Sequence, residues 1–174
     1  MRTLSCAVLL GLITGCTMPT VVPEAKVTEY VPLGEVNFRR HSASFDAVRV
    51  RSVNCNLAKR TDGSWGGTFD NRPLDVSVTD THIRGVDFVM SRADSKPGHT
   101  IITGQFQGRI YRFEFADDEA LVRTATGSLN FPQRLVGEQV VRYGSLKELE
   151  LRGEAGNEVP PWPQLVFALM SVFN

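Results

Sequence analysis

Along most of this chain the apolar positions recur every second residue. Leu74, Val76 and Val78 alternate with Asp75, Ser77 and Thr79, and Tyr111, Phe113 and Phe115 alternate with Arg112 and Glu114. Lys147, Glu148 and Glu150 interleave with Leu149 and Leu151 in the same way. A strand points successive side chains to opposite faces, so each run predicts a strand with one buried and one solvated face. Further strands are expected at Phe45 to Leu57, Trp65 to Phe69, Ile83 to Met90, Thr100 to Phe106, Ala120 to Thr124 and Gln139 to Tyr143. Turn-forming clusters separate them: Thr61-Asp62-Gly63, Asp70-Asn71-Arg72-Pro73, Asp94-Ser95-Lys96-Pro97-Gly98, Gln107-Gly108, Ala116-Asp117-Asp118 and Tyr143-Gly144-Ser145. That spacing predicts consecutive antiparallel hairpins. No stretch between Val36 and Arg152 keeps a helical period, which argues against crossover helices and a parallel sheet. The expected fold class is therefore all-β, a single antiparallel barrel or sandwich.

Two places break the alternation. Val48 and Val50 share one parity while Val53, Cys55 and Leu57 share the other, and Ile83 and Val86 differ in parity across Gly85. A β-bulge, or a strand passing between sheets, would switch the buried face in this way. Strands bent so strongly suit a closed barrel or a tight sandwich. Cys55 falls on the apolar parity, which marks it as a small core hydrophobe rather than a reactive thiol.

The C-terminal segment follows another pattern. Pro160, Pro161 and Pro163 bracket Trp162, and Leu165 to Phe173 is almost wholly apolar. Pro163 suits the first turn of a short helix, where its missing N–H is no loss, so a helix is preferred over a buried final strand. Apolar on all sides, it must be buried, packed against one end or mouth of the β-structure or in a partner's groove. It is too short to span a bilayer, which takes about 20 residues as a helix.

The N-terminus carries an address. Met1 and Arg2 precede an apolar run from Leu4 to Ile13, which ends Leu12-Ile13-Thr14-Gly15-Cys16. The run is about a dozen residues, short of the roughly 20 of a spanning helix. The segment resembles a bacterial lipoprotein signal peptide, in which a small residue stands just before the cysteine that receives lipid. The resemblance implies cleavage between Gly15 and Cys16 and lipidation of Cys16, so that residues 1–15 are a signal peptide. Residues 16–34, with Pro19, Pro23 and Pro32, read as a tether, and residues 35–174 as one β-rich domain. With Thr17 rather than Asp after the cysteine, the sorting rule attached to this family makes the outer membrane the default destination.

Charge adds little. Nineteen basic residues balance nineteen acidic ones, and only four of the basic residues are lysine. Nothing in that balance points to nucleic acid or to a polybasic membrane patch. Cys6 leaves with the signal and Cys16 is taken by lipid, so Cys55 has no disulfide partner within the chain.

Candidate chemistry is sparse. His41, His82 and His99 lack metal-ligand spacing. Asp75, Asp80, Asp87, Asp117 and Asp118 fall in turns or on polar strand faces, and Asp117-Asp118-Glu119 reads as a hairpin tip rather than a calcium loop. No serine stands in a nucleophile elbow, and Gly66-Gly67 lacks the lysine of a phosphate loop. No catalytic, metal or cofactor residue is assigned. Gly63 and Trp65 form a Gly-x-Trp triplet entering a strand, similar to the first motif of lipocalin-type barrels, where the tryptophan closes one barrel end. That resemblance would place a late arginine, Arg142 or Arg152, over the ring. A plain turn at Asp62-Gly63 with Trp65 in the core explains the same residues.

The expectation is an envelope lipoprotein held to a membrane by acyl chains, with a non-catalytic binding or scaffolding role toward an envelope protein. The alternative is a carrier whose barrel interior, faced by Trp65, Tyr111, Phe113 and Phe115, takes a small apolar ligand or lipid. An enzyme of unknown reaction comes third.

Overall fold

The computed structural model describes residues 30–96, 98–132, 134–137, 140–144 and 148–174. The signal segment, Cys16 and most of the tether lie outside them. The strands are β1 (Gly34–Phe38), β2 (His41–Phe45), β3 (Arg49–Ser52), β4 (Cys55–Lys59), β5 (Trp65–Phe69), β6 (Arg72–Val78), β7 (His82–Gly85) and β8 (Phe88–Lys96). They continue as β9 (His99–Phe106), β10 (Arg109–Phe115), β11 (Ala120–Thr124), β12 (Gly127–Phe131), β13 (Arg134–Gly137), β14 (Val140–Tyr143) and β15 (Leu149–Gly153). Among the described residues one α-helix, α1 (Gln164–Phe173), follows the strands.

All strands belong to one antiparallel sheet that is nearly closed as a barrel. Each of β1 to β12 pairs with the next, while β15 pairs with both β1 and β14, and β14 with β13. Following these antiparallel pairings around the sheet makes β12 and β13 run in the same direction. They are also only two residues apart, at Pro132 and Gln133. They are thus two halves of one strand line, the first paired with β11 and the second with β14. An antiparallel barrel closes only with an even number of strand positions, and this sharing makes the number even. Ring contacts join the two sides of the seam: Phe38 lies 6.1 Å from Phe131, and Phe115 lies 5.8 Å from Tyr143.

The two ends of the barrel differ. At the end we call the mouth, every connection from β1 to β12 is a two-residue hairpin: 39–40, 53–54, 70–71, 86–87, 107–108 and 125–126. Among the described residues, every non-glycine with positive φ lies in one of these turns: Arg39, Asp70, Asn71, Asp87 and Gln107. Asp70-Asn71 and Gln107-Gly108 have both residues left-handed, the geometry that matches the twist of the flanking strands. At the opposite end, the base, β1 begins and the connections are mostly longer, as at 46–48, 60–64 and 116–119.

These turns correct the reading of the broken alternation. Phe45 to Leu57 is not one bulged strand but the end of β2, all of β3 and the start of β4. Val53 and Val86 sit at hairpin tips, almost fully exposed, and Val48 is half exposed in the β2–β3 turn. A two-residue turn reverses direction and resets the parity, which a bulge would also do. Neither Val53-Asn54 nor Val86-Asp87 contains the glycine or proline that usually announces such a turn.

The helix enters at the base and runs through the interior to the mouth, rather than capping one end. At the base Trp162 donates its indole N–H to the Thr79 carbonyl (2.8 Å), and Gln164 Nε2 donates to the Ala47 carbonyl (3.1 Å). At the mouth Tyr111 donates its hydroxyl to Asn174 Oδ1 (2.8 Å). The lengths agree: a ten-residue helix is about 15 Å long and a five-residue strand about 17 Å. Every residue from Gln164 to Val172 is buried. The helix packs against β1 to β4, and rings from the rest of the wall reach across to it. Phe167 lies 5.5 Å from Trp65 and 5.8 Å from Phe88, and Phe173 lies 4.3 Å from Phe38 and 5.9 Å from Phe113. Ser171 satisfies its hydroxyl on the Ala168 carbonyl (2.9 Å), so the helix brings little unpaired polarity into the core.

Phe167→Ala should remove a fully buried ring shared by two wall aromatics. We expect a loss of about 3–5 kcal/mol, read as a fall in Tm on the order of 10 °C. Deleting residues 164–174 should abolish the cooperative melt altogether. A truncated protein that melts like the full chain would show that the barrel stands without its helix.

Candidate functional site

The interior-facing residues singled out by sequence are all buried, and they pack on the helix or on other residues of the inner wall. Tyr111, Phe113 and Phe115 share the inner face of β10. Tyr111 and Phe113 lie along the C-terminal part of α1, and Phe115 packs on Tyr143. Burial raises the phenol pKa of both Tyr111 and Tyr143. Trp65 starts β5 at the base and packs on Phe167. Neither Arg142 nor Arg152 covers it: both sit on the outer wall and converge on Glu150, at 3.0 and 2.8 Å. The lipocalin-like pairing is therefore replaced by a contact between Trp65 and the chain's own helix.

Cys55 lies on the inner face of β4, 2% exposed. Burial pushes its thiol pKa up to about 12, which leaves it neutral and unreactive at ordinary pH. The three histidines are dispersed. His41 and His82 begin β2 and β7, and His82 bonds to the neighbouring Thr81 hydroxyl (2.8 Å). His99 begins β9 and lies 3.1 Å from Glu114, which Arg112 also holds at 2.7 Å. The Arg112 and His99 hydrogen bonds hold the Glu114 carboxyl below the usual range. This His–Glu pair sits on the outer wall of β9 and β10, and it lines none of the clefts described here. Among the described residues no group of acids, histidines and cysteines is placed to hold a metal.

A large open concavity lies at the mouth. A cleft of about 610 Å³ lies between the β1–β2 and β11–β12 turns, floored by the end of α1. One wall carries Phe38, Arg39, Arg40 and His41, and the other Thr124, Thr126, Ser128 and Leu129. Val172, Phe173 and Asn174 form the floor. Three features of the local chain build it. Phe38 ends β1 pointing inward and stacks on Phe173. The tight turn then lifts Arg39 and Arg40 to the rim, with the Arg39 guanidinium 5.0 Å from the Phe38 ring centroid. Across the cleft, Gly127 follows the two-residue turn at φ 148, and Thr124 and Thr126 share a 2.9 Å hydroxyl contact. A smaller cleft of about 210 Å³ continues past His41 toward Val53 and Asn54. At the base a cleft of about 280 Å³ runs between Trp65, Trp162 and Gln164.

Sequence reasoning did not find the mouth cleft. Its residues come from three distant segments with no shared motif. The nearest local signal was Arg39-Arg40-His41 beside the aromatic Phe38. No family model, curated protein or solved structure matches the chain, so geometry alone carries the reading that follows.

The thiol supplies a test of the inner face. As the pH rises through about 9, the unfolded chain releases the Cys55 proton while the folded state keeps it until about 12. Across that window folding therefore weakens as pH rises, by on the order of 1 kcal/mol per pH unit. We expect wild type to lose stability relative to Cys55→Ala between those pH values, and the thiol to react with a thiol reagent only after denaturation. Rapid labelling of the folded protein would overturn the assignment of Cys55 to the core.

Proposed function

We propose that this chain is an envelope lipoprotein with a non-catalytic binding or scaffolding role, anchored through Cys16 and presenting its mouth away from the membrane. The observation that carries the reading is the filled interior. With α1 filling the interior, the concavities open to a partner lie outside it: the mouth cleft of about 610 Å³, and one of about 380 Å³ on the outer wall over β1 to β3. The chain enters at the base, where Leu33 donates its N–H to the Phe45 carbonyl just before β1. A tether leading back from that end to an acylated cysteine would leave the mouth facing outward. Thr17 favours the outer membrane as the destination. The alternative of a carrier with its ligand inside the barrel has less support, because Trp65, Tyr111, Phe113 and Phe115 are committed to packing. The enzyme reading has least: the one hydrogen-bonded His–acid pair among the interactions described stands on the open wall, outside any cleft that would exclude water.

The anchor is tested directly. Cys16→Ser should remove the thiol that receives lipid, leave the precursor uncut, and abolish labelling by palmitate in the producing cell. A variant that is still processed at residue 16 and still labelled would refute the lipoprotein reading.

A further inference from the structure

We propose that the mouth cleft binds a carboxylate carried on a flat apolar body, with Arg39 and Arg40 holding the carboxylate and the Phe38–Phe173 stack receiving the body. The proposal deepens the binding role above and does not depend on the anchor. It starts from the charges that line the cleft. On the wall Arg49 pairs with Asp46, Arg60 with Asp75, Arg112 with Glu114, and both Arg142 and Arg152 with Glu150. No carboxylate of the described residues lies within ion-pair distance of Arg39 or Arg40; the same holds for Arg51, Arg84 and Arg123 on the wall, but Arg39 and Arg40 line a cleft with an aromatic floor.

A structural role at the helix end does not account for them. The last carbonyls of α1 carry the negative end of its dipole, and an arginine placed to offset it would hydrogen-bond to them. Among the described residues neither Arg39 nor Arg40 makes such a side-chain bond. The turn itself fixes where Arg39 stands. Arg39 is left-handed, at φ 53, a conformation that favours glycine and asparagine and penalises other residues. The comparable turns put Asp70, Asn71, Asp87 and Gln107 in that region. Gln107 takes the same conformation, so the strain is that of the turn type, and its consequence here is to hold Arg39 at the rim of the cleft.

The ligand's chemistry follows from the two walls. Guanidinium groups bind carboxylates through paired N–H donors. The 4.3 Å Phe38–Phe173 stack with Val172 and Leu129 offers an apolar surface for a ring or short chain. Thr124, Thr126 and Ser128 supply hydroxyls opposite. A volume of about 610 Å³ suits a small molecule rather than a folded partner.

The test uses the full-length chain in lipid nanodiscs, with empty nanodiscs as the blank, and three probes read by NMR: 2-naphthoate, its neutral isostere 2-naphthamide, and acetate. We expect 2-naphthoate to perturb the Phe38, Leu129 and Phe173 resonances, and to bind about tenfold or more tightly than either control. Arg39→Asn and Arg40→Asn should each weaken 2-naphthoate about tenfold and leave 2-naphthamide unchanged. Because asparagine tolerates the left-handed turn, Arg39→Asn should melt no lower than wild type, which separates loss of binding from loss of fold. Equal binding of naphthoate and naphthamide, naphthoate affinity unaffected by either variant, or no binding at all would overturn the proposal. An Arg39→Asn variant with a lowered Tm would assign that arginine to the fold. None of these outcomes bears on whether Cys16 is acylated.

Discussion

The packing of α1 inside the sheet is the constraint from which the other features follow. A barrel's diameter grows with its number of strands, and beyond the small barrels side chains from the wall no longer meet at the axis. This sheet has too many strands to fill itself. Something must occupy its centre, and a helix roughly as long as the wall is tall does so while hydrogen-bonding its own backbone. That arrangement explains why Leu165 to Val172 are apolar on all sides, where a surface helix would show a polar stripe. It also explains the many aromatic residues on the inner faces of β5, β8 and β10, since long rings bridge the gap between a helix lying against β1 to β4 and the far wall.

Closure is the second constraint, and it falls on a proline. A sheet edge leaves N–H and C=O groups unpaired, and a barrel removes that hazard only if its first and last strands meet. Here the seam is one strand line that changes partners midway, from β11 to β14. Pro132 stands at the change. It has no N–H to leave unpaired where the strand leaves one neighbour before gaining the next. Beyond it β13 is exposed on both faces, with Leu135 and Val136 open to solvent, whereas Phe131 just before it is buried. The strand leaves the wall of the core at the point where its partner changes.

Which parts of this were legible in the sequence depended on how local the cause was. β5 and β11 have the bounds expected from the sequence, and β10 lies over its alternating run, because each carries its own inside–outside pattern and a turn cluster on at least one side. In sequence the hairpins at Val53-Asn54 and Val86-Asp87 look like bulges or strands passing between sheets, since valine favours strands and the parity shift is the same for each cause. β12 and β13 gave no alternation to read: Leu129 is half-buried, Phe131 is the one buried residue of β12, and β13 buries none. The C-terminal helix was legible as a buried helix but not as an axial one, because a residue pattern records that a face is apolar and not what covers it. The mouth was invisible for the same reason. Phe38, Leu129 and Phe173 become neighbours only when the seam closes around the helix end.

Overall charge is a poor guide to such a surface. Nineteen cations and nineteen anions cancel over the chain, yet the field near any point depends on which of them are paired nearby. Along the wall, Glu150 sits between Arg142 and Arg152, and Glu114 between Arg112 and His99, so charge is neutralised within a few ångströms. These bonds also hold the two carboxyls below their ordinary range. The two-residue turn at Arg39-Arg40 is different: it lifts two cations clear of the wall, above rings that cannot neutralise them. A chain of zero net charge thus keeps two cations at the rim of the mouth cleft with no carboxylate of the described residues within ion-pair distance. They lie at the end opposite the one where the chain enters β1.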